Sequence, residues 1–311
     1  MVDVLVTRPL LKSAMERLDR TFTVHKLYEA DDQDAFLSAV GTKIRGVATN
    51  GNIGCPPEVL NRTPNLEIVS SFGVGYDGID VEACRSRGIR VTNTPDVLND
   101  AMAELTLGLM LAVCREIPQA HNYVLQGKWP SGPYHLTREL TGKTLGILGL
   151  GRIGKEVARR AQAFKMQVIY HGRNEQPHEP YTYYGDLADM AAASDWLVCI
   201  VPGGPATDGM VNTAVLDALG PEGVFINVGR GSTVDEAALI AALKEGRLGA
   251  AGLDVFADEP NVPEALKAMP NVVLSPHQGS ATHKTRFMMG DLVVENLVAH
   301  FDGRPVLTPV A

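Results

Sequence analysis

Cysteine is scarce in this chain of 311 residues. Cys55, Cys84, Cys114 and Cys199 lie far apart, and no C-x-x-C pair occurs. That argues against a disulfide framework and a zinc site, so no metal is expected and a reducing, cytoplasmic setting fits best. Long apolar runs are also missing. The longest, Leu105 to Cys114, sits between Glu104 and Arg115, far below the ~20 residues of a membrane span. The opening Val2-Asp3-Val4-Leu5-Val6 lacks a basic flank and reads as a strand rather than a leader. Basic residues are outnumbered, 28 against 36 acidic, for a net charge of −8. This disfavours nucleic acid or an anionic membrane surface as the main partner, although a local basic cluster could still hold an anionic ligand. Tandem repeats and low-complexity tracts are absent as well.

What is present is alternation. Candidate strands are Asp3–Thr7, Thr23–Leu27, Gly46–Thr49, Glu67–Ser70 and Ile89–Thr92, with helical patterns at Leu10–Arg20 and Asp32–Val40 between them. A second series follows: Thr144–Leu148, Gln167–Tyr170, Trp196–Ile200, Val224–Asn227, Ala250–Asp254 and Val272–Ser275. Several are nearly continuous apolar runs, as parallel strands covered on both faces require. The expected class is α/β, with two doubly wound parallel sheets rather than one sheet of unusual width. A long helix is predicted from Ala101 to about Ile117, capped by Asn99 or Asp100. The stretch Gly127–Pro133, which contains Trp129, should run over a surface. The final helical pattern, His283 to Phe301, could return to the first domain. The expected division is therefore 1–98 plus 285–311 for one domain and 99–284 for the other, with a ligand cleft between them.

Two stretches match G-x-G-x-x-G: Gly149-Leu150-Gly151-Arg152-Ile153-Gly154 and Gly73-Val74-Gly75-Tyr76-Asp77-Gly78. A chain this rich in glycine gives roughly 0.3 such matches by chance, so context decides. The first lies between an apolar strand and the amphipathic stretch Lys155–Phe164, with another strand after it. That order is the dinucleotide-binding unit, whose helix N-terminus receives the pyrophosphate. The second is followed by Thr92-Asn93-Thr94, with neither an acid nor an arginine for a ribose. It suits an anion-binding nest large enough for a carboxylate, or a plain loop. An NAD site places an acid about 20 residues into the unit. Here the strand ends Tyr170-His171-Gly172-Arg173-Asn174, and Arg173 is placed to hold the 2′-phosphate of NADP instead.

Arg230, Glu259 and His277 follow successive later strands, at the edge where such sheets carry their ligands. Singly each has a bland explanation as a helix-end arginine, a loop acid or a polar histidine. Together they supply what reduction of a keto acid needs: an anion grip, a proton donor and a carboxylate to hold the donor.

These segments resemble the D-isomer-specific 2-hydroxyacid dehydrogenase family, and within it the NADP-dependent glyoxylate/hydroxypyruvate reductase branch. The resemblance spans Gly73–Asp80, Asn93-Thr94-Pro95, Ala103-Glu104, Gly149–Gly154, Asn227–Gly231, Leu253-Asp254-Val255, Glu259-Pro260 and Pro276-His277. It implies that His277 protonates the substrate carbonyl while Glu259 orients it and favours its charged form. It further implies that Arg230 grips the substrate carboxylate with the Val74 and Gly75 amides, and that Asn50 and Gly51 line the substrate side. Asp254 would hold the nicotinamide carboxamide. The remaining cofactor contacts would fall to Gly149, Gly151, Arg152, Ile153, Gly154, His171, Gly172, Arg173, Val201, Pro202, Thr207, Asn227, Val228, Gly229, His277 and Gly279. NADP(H) is the implied cofactor with NAD(H) as the alternative, and a homodimer is implied by the segment containing Trp129. Aromatic and sugar-derived keto acids stay open as substrates.

Rival chemistries fit less well. No tyrosine is followed by lysine four residues on, as short-chain dehydrogenases require, and clustered Cys and His ligands for metal-dependent oxidation are missing. Formate dehydrogenase pairs its histidine with glutamine, where this chain has Glu259. A non-catalytic dinucleotide sensor, like the corepressors of the same fold, stays compatible with the three residues.

Overall fold

The computed structural model describes residues 1–310. The chain begins with β1 (Asp3–Val6), α1 (Lys12–Thr21), β2 (Thr23–Lys26), α2 (Gln33–Val40), β3 (Ile44–Asn50), α3 (Pro57–Arg62), β4 (Ile68–Phe72), α4 (Val81–Ser86) and β5 (Arg90–Thr92). It continues through α5 (Asn99–Cys114), α6 (Ile117–Leu125), β6 (Thr144–Leu148), α7 (Arg152–Ala163), β7 (Gln167–His171), β8 (Thr182–Tyr183) and α8 (Leu187–Ala192). The remainder is β9 (Trp196–Cys199), α9 (Thr213–Leu219), β10 (Val224–Asn227), α10 (Glu236–Lys244), β11 (Ala250–Leu253), α11 (Glu264–Lys267), β12 (Val272–Leu274) and α12 (His283–Phe301).

Two units result. One comprises everything up to Leu98 and everything from Ser280 onward, and its parallel sheet runs β2-β1-β3-β4-β5. This is the flavodoxin-like order. Strand β4 is buried along its whole length, and it is tied to α12 where Ser70 Oγ donates to the Val293 carbonyl at 3.1 Å, while Ser71 Oγ is buried without a partner among the described residues. Thr282 caps α12, and the helix lies on β4 and α1. Arg17 of α1 reaches Asp291 and Glu295, and Phe22 meets Phe301 edge-on at 5.9 Å. The tail then joins the edge of β5, where the Val310 N–H donates to the Val91 carbonyl at 2.7 Å.

The other unit, Asn99–Gly279, has a seven-stranded parallel sheet in the order β12-β11-β10-β9-β6-β7-β8. The order reverses between β6 and β9, which makes the carboxyl ends of those strands the place for a ligand. Apolar side chains fill both faces. Met110 and Val113 of α5 pack with Ile147, Val198 and Ile226 on one side, while Leu148, Leu197 and Phe225 pack with Leu216 and Leu239 on the other.

Local departures from the sequence pattern have tertiary causes. The helix predicted to reach Ile117 breaks after Cys114, where Glu116 takes a left-handed φ of 49°. Its Oε2 accepts from the Tyr134 hydroxyl at 2.8 Å and from His135 Nε2 at 2.7 Å, contacts that no periodicity announces. Beyond the break, α6 buries none of its residues, and Leu125 and Leu136 are 70% and 98% exposed, with Trp129 between them also exposed. Strand β8 is an addition to the expected set. Among the described residues no helix is long and apolar enough to cross a membrane, and no group of three or more His, Cys, Asp or Glu could hold a metal ion.

Candidate active site

The glycine loop joins β6 to α7, and each glycine has its own reason. Gly149 adopts φ 104°, a conformation that strains any other residue. At Gly154 a Cβ would overlap the Gly149 carbonyl, so the turn and the helix can pack closely only without a side chain. At Gly151 a Cβ would meet nothing within 4 Å, which leaves open space directly over the start of α7. No side chain caps that helix. An uncapped helix start beneath open space is the geometry a pyrophosphate requires, and the residues present fit a dinucleotide.

At the end of β7, Arg173 is exposed on a loop braced by β8. His171 Nδ1 donates to the Tyr184 carbonyl at 2.8 Å, and the Tyr183 hydroxyl donates to the Gly172 carbonyl at 3.2 Å. After β9, Thr207 Oγ1 donates to the Pro202 carbonyl at 2.7 Å, which closes that loop on itself, and Val201 packs beside Gly149.

Three loops of the same unit bring the proposed chemical groups together. After β10, the buried Asn227 side chain wraps the turn. Its Oδ1 accepts from the Gly229 N–H at 3.0 Å and its Nδ2 donates to the Arg230 carbonyl at 2.9 Å. The Val228 N–H donates to the Cys199 carbonyl at 3.1 Å. Gly231 follows, and any Cβ there would overlap the Phe256 backbone, so the Arg230 loop lies directly on the loop after β11. That second loop carries Glu259, whose Oε1 accepts from the Phe256 N–H at 3.1 Å and whose Oε2 accepts from His277 Nδ1 at 2.6 Å. Burial alone would raise the Glu259 carboxyl above its ordinary range. The hydrogen bond and charge of His277, the Phe256 N–H and the charge of Arg230 outweigh burial and hold it below.

His277 itself sits at φ 49° in the loop after β12. A left-handed, non-glycine residue is held there only by its surroundings, and such strain clusters at functional sites. The holding group is Asp254, only 1% exposed. Its Oδ1 accepts from Ser275 Oγ at 2.6 Å and from the Gln278 N–H at 2.8 Å, and its Oδ2 accepts from the Gly279 N–H at 2.9 Å. The His277 N–H donates to the Asp254 carbonyl at 2.9 Å. One acid at the end of β11 thus fixes the residues on both sides of the histidine.

The expected substrate residues of the other unit occupy loops after β3 and β4. Asn50 uses its Oδ1 to accept the Ile53 N–H at 2.9 Å, and the Gly51 N–H donates to the Phe72 carbonyl at 3.3 Å. Val74 and Gly75 lie in the second glycine stretch, where Asn93 Nδ2 donates to the Val74 carbonyl at 2.8 Å. The Gly73 N–H donates to Thr94 Oγ1 at 2.9 Å, and the Thr94 N–H donates back to the Gly73 carbonyl at 2.9 Å.

Sequence reasoning gave no role of their own to Ser275, Gln278 and Asn93, which shape these loops. Ser275 and Gln278 meet Asp254 only because β11 and β12 are neighbours in the sheet. Asn93 carries a weak signal, since an Asn directly after a strand commonly ties a turn.

Comparison with known proteins agrees with this geometry. The family described as D-isomer specific 2-hydroxyacid dehydrogenase, NAD binding domain, matches residues 107–279. The chain is 49% identical over 309 residues to the hydroxyphenylpyruvate reductase of Plectranthus scutellarioides, covering 99% of each. It is 46% identical to a glyoxylate/hydroxypyruvate reductase A of Arabidopsis thaliana, again covering 99% of each. Among solved structures, it superposes with a TM-score of 0.94 on the NADPH-dependent glyoxylate/hydroxypyruvate reductase of Sinorhizobium meliloti in complex with NADP and malonate. That pair shares 47% identity and covers 99% of this chain and 96% of the other. With an Arg-Glu-His constellation on a dinucleotide-binding sheet and relatives of this closeness, the chain belongs to the D-isomer specific 2-hydroxyacid dehydrogenase family, whose members reduce 2-keto acids.

Proposed function

We propose that this protein uses NADPH to reduce a small 2-keto acid, glyoxylate or hydroxypyruvate foremost, to its D-2-hydroxy acid. Arg173 is the observation that carries the cofactor reading: an arginine stands at the end of β7 where an NAD-dependent unit keeps an acid. Glyoxylate and hydroxypyruvate appear in the names of both curated and solved relatives, which supports the substrate class.

When bound, the nicotinamide supplies a hydride. Arg230 pairs with the substrate carboxylate and polarises the keto group. His277 has its Nδ1 engaged by Glu259, so Nε2 is the atom that delivers a proton to the carbonyl oxygen. Glu259 fixes the ring and balances its charge. Asp254, besides tying down the histidine loop, keeps lone-pair capacity on Oδ2 to accept from the carboxamide.

The test is a set of initial rates with NADPH and NADH against glyoxylate, hydroxypyruvate, phenylpyruvate and pyruvate. The expected result is fast turnover with NADPH and the small keto acids. Arg173→Ala should raise KM for NADPH about tenfold or more through loss of charge-assisted hydrogen bonds, with little change for NADH. Equal effects on the two cofactors would overturn the phosphate assignment. Phenylpyruvate outpacing glyoxylate would move the substrate to the aromatic class.

The exposed large apolar side chains Ile117, Val124, Leu125, Trp129 and Leu136, all within one stretch of chain, support a homodimer, because burying them against a second copy removes them from water. Light scattering should give twice the chain mass, and Leu125→Glu with Leu136→Glu should shift it toward the monomer. A monomeric parent protein would refute this.

A further inference from the structure

We infer that Gln176 is a positioning residue for cofactor discrimination: it ties the loop that carries Arg173 to the glycine loop. This rests on the reading of Arg173 as the 2′-phosphate ligand. Residues 172–181 join β7 to β8 without regular structure and contain Pro177 and Pro180. A loop of that make-up tends to move. This one is anchored. The Gln176 N–H donates to the buried Tyr170 hydroxyl at 2.7 Å, and Gln176 Nε2 donates to the Leu150 carbonyl at 2.8 Å. Leu150 stands between the first two glycines of the motif, so a single side chain bridges the loop for the phosphate and the loop for the pyrophosphate. A salt bridge from Glu179 to Lys155, 2.7 Å long and partly exposed, ties the same loop to the first turns of α7. Solvent screens such a pair, which leaves Gln176 as the stronger link.

The bridge matters because of what NADP is. Its 2′-phosphate and pyrophosphate hang on one ribose, so the two protein loops must keep a set spacing to engage both groups at once. With Gly172 held by Tyr183 and Gln176 held by Leu150, Arg173 lies between two fixed points. Preorganisation of that kind lowers the ordering cost of binding. NADH lacks the phosphate and gains little from the spacing. Loss of the bridge should therefore fall on NADPH.

The experiment measures Kd for NADPH and NADH by titration calorimetry on the full chain. It uses Gln176→Met, which keeps length but removes the side-chain amide, together with Arg173→Ala and the double variant. An unchanged melting temperature of the cofactor-free protein shows that each variant folds. Gln176→Met should raise Kd for NADPH about fivefold, the worth of one typical hydrogen bond, and Kd for NADH less than twofold. In the Arg173→Ala background the same change should raise Kd for NADPH less than twofold. Equal loss of both cofactors in Gln176→Met, no loss at all, or an undiminished fivefold loss without Arg173 would each overturn the assignment. Failure of the underlying reading looks different: Arg173→Ala would then weaken both cofactors alike.

Discussion

Replacing Asp254 by Asn changes almost no volume and substitutes a donor for one acceptor, and the loop carrying His277 should register it. Both carboxylate oxygens are committed, Oδ1 to Ser275 and Gln278, Oδ2 to Gly279. An amide offers one oxygen. If it keeps the two partners of Oδ1, its NH₂ faces the Gly279 N–H, donor against donor; turned round, it faces two donors. The smaller loss is one charge-assisted bond with a buried N–H left unpaired, about 2–4 kcal/mol. Relief from burying a charge works in the opposite direction, so the effect stays below that of losing all three bonds. For a unit of this size, about 2–4 °C per kcal/mol gives a fall in Tm of about 5–15 °C. The strained backbone at His277 should relax with the loop, and displacement of a proton donor lowers kcat about tenfold or more. Thermal melts of the cofactor-free protein and steady-state rates with glyoxylate measure both. A Tm within about 2 °C together with kcat within twofold of the parent would refute the idea that this carboxylate fixes the loop.

His277→Ala should lower kcat about 10²-fold or more while NADPH still binds in a fluorescence titration; near-normal turnover would remove His277 from proton transfer. Glu259→Gln should lower kcat about tenfold or more, because the group that fixes the ring through Nδ1 becomes a neutral amide, and kcat within twofold of the parent would uncouple the pair. The same variant has a stability signature. A carboxyl held below its ordinary range in the folded state stabilises the protein above that range, and the gain is lost as pH falls through the folded value. The stability gap between parent and Glu259→Gln should therefore be present at neutral pH and close in acid, as followed by urea unfolding. Gly154→Ala should weaken NADPH and NADH alike, about tenfold or more on a scale where each 1.4 kcal/mol is tenfold, because its Cβ would push the Gly149 carbonyl out of the turn; a selective loss would point to something other than loop packing.

Most of this architecture is written in local pattern. Runs such as Leu145–Leu148 and Val224–Ile226 mark buried parallel strands, because a strand covered on both faces has nowhere to put a polar side chain. β8 escapes because two residues in a stretch rich in tyrosine and proline have no period to detect. The break at Glu116 escapes because its cause, the pull of Tyr134 and His135, lies elsewhere in the chain. The site divides along the same line. Arg230, Glu259 and His277 can be placed from sequence because each lies in the loop after a strand, and strand ends gather at one edge of such a sheet. The Asp254–Ser275–Gly279 network and the Gln176–Leu150 bridge join residues 21 to 26 positions apart, and only the sheet order makes them neighbours.

The unit built from both ends of the chain has a consequence for biosynthesis. Its fully buried strand β4 is covered by α12, so the first hundred residues cannot complete their core as they leave the ribosome. The unit from Asn99 to Gly279 is contiguous and can close first. At 5–20 residues per second, making the intervening stretch of about 180 residues takes roughly 10–40 s. Throughout that interval the nascent N-terminal segment carries an uncovered apolar face. Chaperone demand during translation should therefore be set by the arrival of one late helix, not by the difficulty of folding either sheet.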